Sequence, residues 1–377
     1  SAAIHKVSLF VILFLVSLPV LPAVVDEFLN ARVIQTGKFA SMPGLTEEIK
    51  GRRVVFVGET HSSVEVHMLQ MHVLETMYSQ GWPLAIGVEW FQQPFQAALD
   101  QYVSGEIDER QLLRDTEYYR RWGFDYRLYR PVMRFARKHG IPVLALNIER
   151  EITDSMMRNG LEGLSDDARE KLPREYDFTE SAYTRMLRGM FGDSQETAHG
   201  ASPGFQRFLE VQLTWDEVMA ESAAKYLEEN RQSRLLVLAG RGHVHPGAIP
   251  VRLQRRTGIS GLSMLNFNPT TPFNHADYLV LGLKEELPRV GSLGIAVTDR
   301  GGMVYVSEPA GESRAVIAGL EKGDRILAIN DTVIESLSDM KYELMDRMPG
   351  EEVMLLLLRR PETADEQAIR VRMRLIE

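Results

Sequence analysis

A glutamate and a histidine two residues apart, Glu59 and His61, follow an apolar, β-branched run at residues 54–57. Such a run, followed by Gly58, is typical of a buried parallel strand. Open α/β sheets bind their ligands at the carboxyl ends of these strands. A carboxylate and an imidazole there can share a metal ion, exchange a proton or hold a polar ligand. A glutamate that caps the next helix, beside a loop histidine, accounts for the same residues equally well.

A second carboxylate, Glu89, follows the apolar run at residues 84–88. Desolvation of a carboxylate at a strand end is costly, so this side chain is either paired or used in chemistry. Hydrogen bonds from neighbouring backbone amides are the alternative explanation.

The run at residues 235–238 ends like the first strand, because a G-x-x-H motif from Gly240 to His243 follows it. The glycines of this motif allow a tight turn and close approach to a ligand. Arg241 can neutralise a ligand carboxylate or the glutamates, whereas His245 is expected to face solvent. We therefore predict one site built from both halves of a domain. Its candidate catalytic residues, which are also the candidate ligands of a divalent metal ion, are Glu59, His61, Glu89 and His243.

Two further groups of residues have less specific patterns. A helix face carrying Asp216 is expected to be a core edge rather than a ligand surface. Aromatic residues crowd positions 118–129, and such density usually fills a core. A tyrosinate can, however, also ligate haem iron.

Composition excludes several classes of function. The chain has 377 residues, a formal charge of −9 and a pI near 5.6, whereas nucleic-acid-binding proteins usually carry a basic face. Cysteine is absent, which excludes disulfides, thiolate metal ligands, a cysteine nucleophile and a lipidated cysteine. Oxygen and imidazole groups remain for metal chemistry.

Strand-like and helical stretches alternate between residues 52 and 268, which predicts a mainly parallel sheet flanked by helices, an α/β fold. The segment 159–202 is expected to be a helical insertion or lid. The predicted strands are residues 54–57, 85–88, 143–146, 235–238 and 263–267. The predicted helices are residues 64–80, 92–103, 108–113, 126–139 and 205–230.

The amino-terminal stretch 7–25 is apolar, follows Lys6 and contains two prolines, which favours a secretory signal. An uncleaved membrane anchor is the alternative, since the run approaches spanning length. In either case we expect an exported protein of the periplasm or cell envelope. The predicted domains are a signal or anchor at 1–25, an α/β domain at 26–287 and a second domain at 288–377.

The α/β segment resembles the ChaN-like haem-binding family of the Tiki, TraB and erythromycin-esterase superfamily over residues 45–270. The motifs that carry the resemblance are Gly58-Glu59-Thr60-His61, Gly87-Val88-Glu89-Trp90-Phe91, Asp125-Tyr126-Arg127-Leu128-Tyr129, Ala145-Leu146-Asn147, Gln212 with Trp215-Asp216 and Met219-Ala220, and Gly240-Arg241-Gly242-His243-Val244. The resemblance implies haem or iron uptake at the cell envelope. Better-known members are lipoproteins, whereas this chain lacks the cysteine. A homodimer is left open.

Residue roles follow from the same resemblance. Hydrolytic relatives use the paired G-x-x-H and glutamate positions, in Tiki members as metal-dependent proteases. No motif fixes the iron ligand, and Tyr129 is our expectation for it. The candidate cofactor-binding residues are Glu59, His61, Tyr129, Arg241 and His243.

The carboxy-terminal segment 288–377 resembles a PDZ domain of the bacterial HtrA type, which implies a small β-sandwich or barrel with helices. Ser292-Leu293-Gly294-Ile295 matches the carboxylate-binding loop, and Pro309-Ala310, Ala318-Gly319-Leu320 and the run from Gly323 to Asn330 match the core signature. The amides of Leu293, Gly294 and Ile295 would grip a peptide C-terminus, and the following strand would accept the peptide by β-augmentation. Alternatively, the domain only packs against the first one.

Three functions are compatible with these patterns. Haem binding at the cell envelope is favoured, on the strength of the resemblance. A metal-assisted hydrolase is the alternative, with a glutamate as general base. An adaptor that tethers partners through the PDZ groove, with a degenerate first site, is the third.

Overall fold

The structure, a computed structural model, describes residues 32–35, 38–179, 181–191, 203–309 and 319–377. The predicted signal or anchor at 1–25 lies outside the described residues, as do positions 310 and 318 of the PDZ signature. Within the described part of the chain, no helix is both long and apolar enough to cross a bilayer.

The first sheet has eight strands in the order β2-β1-β8-β7-β3-β6-β4-β5. The six strands from β8 to β5 in this order are parallel, whereas β1 pairs antiparallel with both β2 and β8. The strand bounds are β1 (Arg32–Gln35), β2 (Lys38–Ser41), β3 (Val54–Glu59), β4 (Leu84–Gln92), β5 (Val143–Asn147), β6 (Arg234–Gly240), β7 (Leu262–Asn266) and β8 (Tyr278–Leu281). The predicted parallel α/β sheet is confirmed.

Helices cover both faces of this sheet. They are α1 (Met42–Lys50), α2 (Val64–Tyr78), α3 (Gln96–Ser104), α4 (Glu109–Asp115), α5 (Tyr118–Arg121), α6 (Tyr126–His139), α7 (Arg150–Asn159), α8 (Asp166–Glu170), α9 (Ala182–Phe191), α10 (Pro203–Glu229) and α11 (Ile249–Thr257). Short 3₁₀ turns lie at Gln93–Phe95, Leu161–Gly163 and Phe273–His275.

Alternate residues of each central strand enter different cores, which is why the strands are apolar throughout. In β3, Val55 and Val57 pack with α2 and α6 on one face, whereas Val54 and Phe56 pack with α10 and α11 on the other. All six residues of β3 are buried. A strand buried on both sides reads as a continuous apolar run rather than an alternating one.

The main differences from the predictions are one helix start and three short strands. The predicted helix at 92–103 begins at Gln96, because Gln92 is the last residue of β4 and a 3₁₀ turn with Pro94 precedes the helix. The antiparallel pair β1 and β2 and the short strand β8 were not predicted. These elements are only four residues long, so the alternation of side chains gives little signal.

The carboxy-terminal sheet is antiparallel, with the strand order β14-β13-β11-β10-β9 and β12 beside β11. Its strands are β9 (Ile295–Arg300), β10 (Met303–Pro309), β11 (Arg325–Ile329), β12 (Thr332–Val333), β13 (Glu352–Arg359) and β14 (Gln367–Arg374), and its helix is α12 (Leu337–Leu344). An apolar core separate from those of the first sheet lies beneath it.

A buried carboxylate, that of Asp339, connects the carboxy-terminal unit to the unit that contains the first sheet. Asp339, on α12, accepts hydrogen bonds from Arg110 Nε at 2.7 Å and Arg114 Nη2 at 2.9 Å. Its side chain is fully buried, and Ser338 beside it donates to the carbonyl of Leu113. Helices α4 and α12 are therefore held together by charge-assisted hydrogen bonds.

We predict that Asp339→Ala lowers the free energy of unfolding by about 3 kcal/mol, because two arginines lose a buried partner. The matched control is Glu335→Ala, which removes an ion pair to the same Arg114 from an exposed position and costs about 1 kcal/mol or less. Urea unfolding of the full chain measures both values. Equal losses in the two variants would contradict this account.

Candidate functional site

The carboxylate of Glu59 lies at the base of the predicted site and is fully buried. It accepts hydrogen bonds from the Tyr129 hydroxyl at 2.9 Å and from Gln70 Nε2 at 2.5 Å. His61 Nδ1 lies 2.9 Å from Oε1, and His67 Nδ1 lies 3.8 Å from Oε2. Burial alone would raise the pKa of Glu59, but the hydrogen bond with His61 and the charges of His67 and His61 outweigh it, and the pKa is lowered. The ionised carboxylate orients the His61 ring through its hydrogen bond with Nδ1.

His61 is the member of this cluster that solvent reaches. Its side chain is 29% exposed, and its ring contacts those of Trp122 and Phe124 at centroid distances of 4.8 and 4.7 Å. Because Nδ1 is held by Glu59, Nε2 is the nitrogen left for a ligand; no hydrogen bond joins it to any residue that the structure describes. Burial would lower the pKa of His61, but the hydrogen bond with Glu59 and the charge of Glu89 raise it.

Glu89 and His61 both lie next to Gly240, the first residue of the second G-x-x-H motif. Its Oε2 accepts a hydrogen bond from the Gly240 amide at 2.5 Å. A Cβ atom added to Gly240 would lie 3.0 Å from His61 Cε1 and 3.3 Å from Glu89 Oε2. The register explains this convergence, because Glu59 of β3 stands beside Gly240 of β6, with β4 on the other side of β6. The structure therefore brings the predicted strand ends together.

His243 forms a second carboxylate–imidazole pair. Its Nδ1 lies 2.7 Å from Asp216 Oδ1, and its Nε2 lies 3.5 Å from Glu89 Oε1. The hydroxyl of Tyr183 donates to Asp216 Oδ2 at 2.6 Å. Burial would lower the pKa of His243, but the charges of Glu89 and Asp216 outweigh it and raise the pKa to about 9. Glu89 thus lies beside two imidazoles, each fixed from behind by a buried carboxylate.

Asp216 is a site residue that the sequence interpretation missed. It was assigned to a core edge, and its side chain is indeed fully buried, but it is the partner of His243. The available signal was its place in the motif Trp215-Asp216, within the family resemblance. Tyr183 gave no such signal, because it lies in the segment interpreted as a lid.

The environment of His245 differs from the prediction that it faces solvent. It is buried and stacks on Tyr183 at 5.2 Å, with His275 at 4.9 Å on another side. Burial, with a smaller effect of His275, lowers its pKa to about 4, so the ring is neutral. Arg241 is half-buried and donates to the Thr271 hydroxyl; no acidic side chain pairs with it in the described parts of the chain.

The position of Tyr129 does not suit the predicted role of iron ligand. The residue is fully buried, and its hydroxyl donates to Glu59. Burial and the charge of Glu59 raise its pKa, which keeps the phenol protonated, whereas iron is bound by a tyrosinate. The geometry favours a role in holding Glu59 and, through it, His61.

No group of three or more histidine, aspartate or glutamate side chains among the described residues is arranged to hold a metal ion. Glu59, one of the four predicted ligands, is enclosed by its own hydrogen-bond partners. The predicted metal set of Glu59, His61, Glu89 and His243 is therefore close in space but lacks the donor geometry of a metal centre.

The predicted peptide loop lies at the start of β9. Leu293 is buried, Gly294 has φ +65°, and Ile295 is partly exposed at the edge of the sheet. The Gly294 amide donates to the Ser292 hydroxyl at 3.1 Å. A left-handed glycine turns the chain into the edge strand at low steric cost.

Comparisons with known proteins agree with these two units. The family model described as haem-binding uptake, Tiki superfamily, ChaN matches residues 45–253, and the PDZ-domain model matches residues 291–371. Both predicted resemblances are confirmed. No curated protein matches the chain.

One solved structure shows the fold of the first unit, and two others are similar to parts of the chain. The structure on cofacial haem binding to ChaN of Campylobacter jejuni is 16% identical, with a TM-score of 0.54, and the match covers 67% of this chain and 96% of that one. The PDZ domain of a carboxy-terminal protease from Vibrio cholerae, in complex with peptide, is 20% identical, with a TM-score of 0.20 over 23% of this chain and 94% of that one. An erythromycin esterase mutant in its open conformation is 13% identical, with a TM-score of 0.35. That match covers 75% of this chain and 84% of that one.

We predict that His243 stays protonated well above neutral pH. Its pKa is about 9 in the folded protein and about 6.5 in the unfolded chain, so its charge contributes stability fully below pH 6.5. That contribution is lost as the pH rises through about 9. Titration of the ring Cε1 proton by NMR measures this pKa, and Asp216→Asn should lower it. A wild-type value at or below 6.5 would contradict the pairing.

Proposed function

Since this chain belongs to the ChaN family of haem-binding uptake proteins within the Tiki superfamily, we propose that it binds haem at the cell envelope as part of haem uptake. The geometry of His61 is the observation that carries the proposal: Nδ1 is held by Glu59 while the ring stays partly exposed. Histidines that ligate metals usually donate their other ring nitrogen to a carboxylate or carbonyl in this way.

The surroundings of His61 fit haem. Haem, when bound, would supply an iron atom that the His61 imidazole could hold. Trp122 and Phe124 contact the His61 ring and offer aromatic surface to a flat apolar ligand. Arg241 and protonated His243 supply positive charge from the neighbouring strand end, which suits the carboxylates of such a ligand.

Cellular location and partners form part of the same proposal. We assign the protein to the periplasm or cell envelope, with residues 1–25 as export signal or membrane anchor, and its PDZ unit to binding of protein C-termini. The name of the Campylobacter jejuni relative refers to cofacial haem binding, and we extend haem binding to this chain. A homodimer is also proposed, and light scattering with and without haemin tests it.

We predict that haemin binds the wild-type chain stoichiometrically with a shifted Soret band, because His61 Nε2 is available to iron. His61→Ala should weaken binding by tenfold or more, a loss of about 1.4 kcal/mol or more. The control is His139→Ala, which removes a histidine packed on Tyr78 and Phe135 away from the site. An unshifted spectrum for the wild type, or equal affinities of the two variants, would refute the proposal.

Hydrolysis is a second candidate, and the position of Glu89 between two carboxylate–imidazole pairs favours it. A carboxylate there can accept a proton from water, and a protonated imidazole can donate one to a leaving group. The donor geometry fits no metal centre, so no step is assigned to a metal ion.

For this candidate we predict that any hydrolysis of small esters or peptides by the purified chain falls at least a hundredfold in Glu89→Gln, the lower range for loss of a general base. Glu47→Gln, a change at an exposed surface glutamate, is the control and should retain full turnover. Elemental analysis of the same samples reports any metal ion bound in the wild type. If turnover is absent, or if Glu89→Gln leaves it unchanged, the proposal of hydrolysis at this site is excluded.

A further inference from the structure

A groove of about 530 Å³ lies between the edge strand β9 and helix α12. Among the described residues, β9 pairs only with β10, so its outer edge offers free backbone groups. Buried side chains of Leu293, Met340 and Leu344 line the base of the groove. Lys341 lies exposed on its helical side, and no acidic side chain of the described residues forms an ion pair with it.

The facing wall of this groove belongs to the first unit. It consists of Tyr119, Gly123, Asp125 and Arg127, from the segment that connects α5 to α6 and the residues on either side of it. Arg127 fixes this wall in place, because it donates to Asp125 Oδ2 at 2.6 Å and to the carbonyl of Pro288 at 2.7 Å. A peptide in the groove would therefore contact both units.

The same short segment also forms the wall of the His61 site. Trp122 and Phe124, which alternate with the groove residues along the chain, contact the His61 ring at 4.8 and 4.7 Å. Residues 119–127 thus line the groove and also contact the His61 ring. We name this stretch the shared wall.

We propose that the C-terminal segment of a partner protein binds in this groove against the shared wall, and that its binding is linked to ligand binding at His61. The free edge of β9 and the buried apolar base suit an extended chain that ends in an apolar residue. The ammonium group of Lys341 favours an acidic residue upstream of that end. The identity of the His61 ligand as haem rests on the function proposed above, but the linkage itself does not.

We expect linkage because the shared wall contacts both the groove and the His61 ring. A peptide that packs on Tyr119 and Gly123 fixes the backbone on which Trp122 and Phe124 sit, and these two side chains set the environment of His61. Coupling between two sites is reciprocal, and typical couplings change affinity about 5- to 150-fold. Peptide and His61 ligand should therefore alter each other's affinity by the same factor.

The test uses the full chain and a seven-residue synthetic peptide with an acidic residue followed by three valines and a free carboxylate. Calorimetry measures the peptide's affinity alone and in saturating haemin, and haemin affinity is measured with and without peptide. We expect about a fivefold or larger change of equal size in both directions. The control peptide, which ends in an amide, should not bind. Lys341→Glu, an exposed change, should weaken binding of the acidic peptide.

A second readout keeps the linkage separate from haem binding. The ring resonances of His61 are followed by NMR as the peptide is added without haemin, and we expect them to shift. If haemin fails to bind but these resonances shift, the linkage stands and the haem proposal fails. Absence of peptide binding, or binding that leaves both the His61 resonances and the haemin affinity unchanged, overturns the inference.

Discussion

The buried carboxylate of Glu59 is the group on which the site depends. It is completely removed from solvent, and four polar side chains surround it: His61, His67, Gln70 and Tyr129. A buried charge is tolerated only when such partners compensate for lost hydration. The partners come from α2, α6 and the loop after β3, so ionised Glu59, the last residue of β3, ties these three parts of the chain together. The result is one imidazole, that of His61, held in a single orientation toward the crevice.

The sheet order makes this arrangement possible. Strands β3 and β6 are far apart in the chain but adjacent in the sheet, and β4 lies on the other side of β6. Their carboxyl ends therefore place Glu59, Gly240 and Glu89 next to one another, and Gly240 leaves space that any side chain would fill. The second carboxylate–imidazole pair, Asp216 with His243, reaches the same space from helix α10 and the loop after β6. The PDZ unit meets this site through residues 119–127, the shared wall.

Much of this architecture could be predicted from the sequence, because buried parallel strands are continuous apolar runs with polar residues at their ends. Glu59, His61, Glu89 and His243 were found in this way, and they do converge. The roles within the cluster could not be predicted, because they depend on which side chain faces the interior. Glu59 and Tyr129 face inward and support His61, and His245 is buried by aromatic packing with Tyr183. Asp216 was missed because a helix face with one acid resembles an ordinary core edge.

The central claim is that His61 presents Nε2 to an iron-containing ligand while Glu59 holds Nδ1. Resonance Raman spectroscopy of the ferrous haem complex tests this bond directly through the iron–histidine stretching band. The account predicts a band in the wild-type protein that moves to lower frequency in Glu59→Gln, since a neutral amide makes the imidazole a weaker ligand. A haem complex without any iron–histidine band, or with a band that persists in His61→Ala, would contradict it.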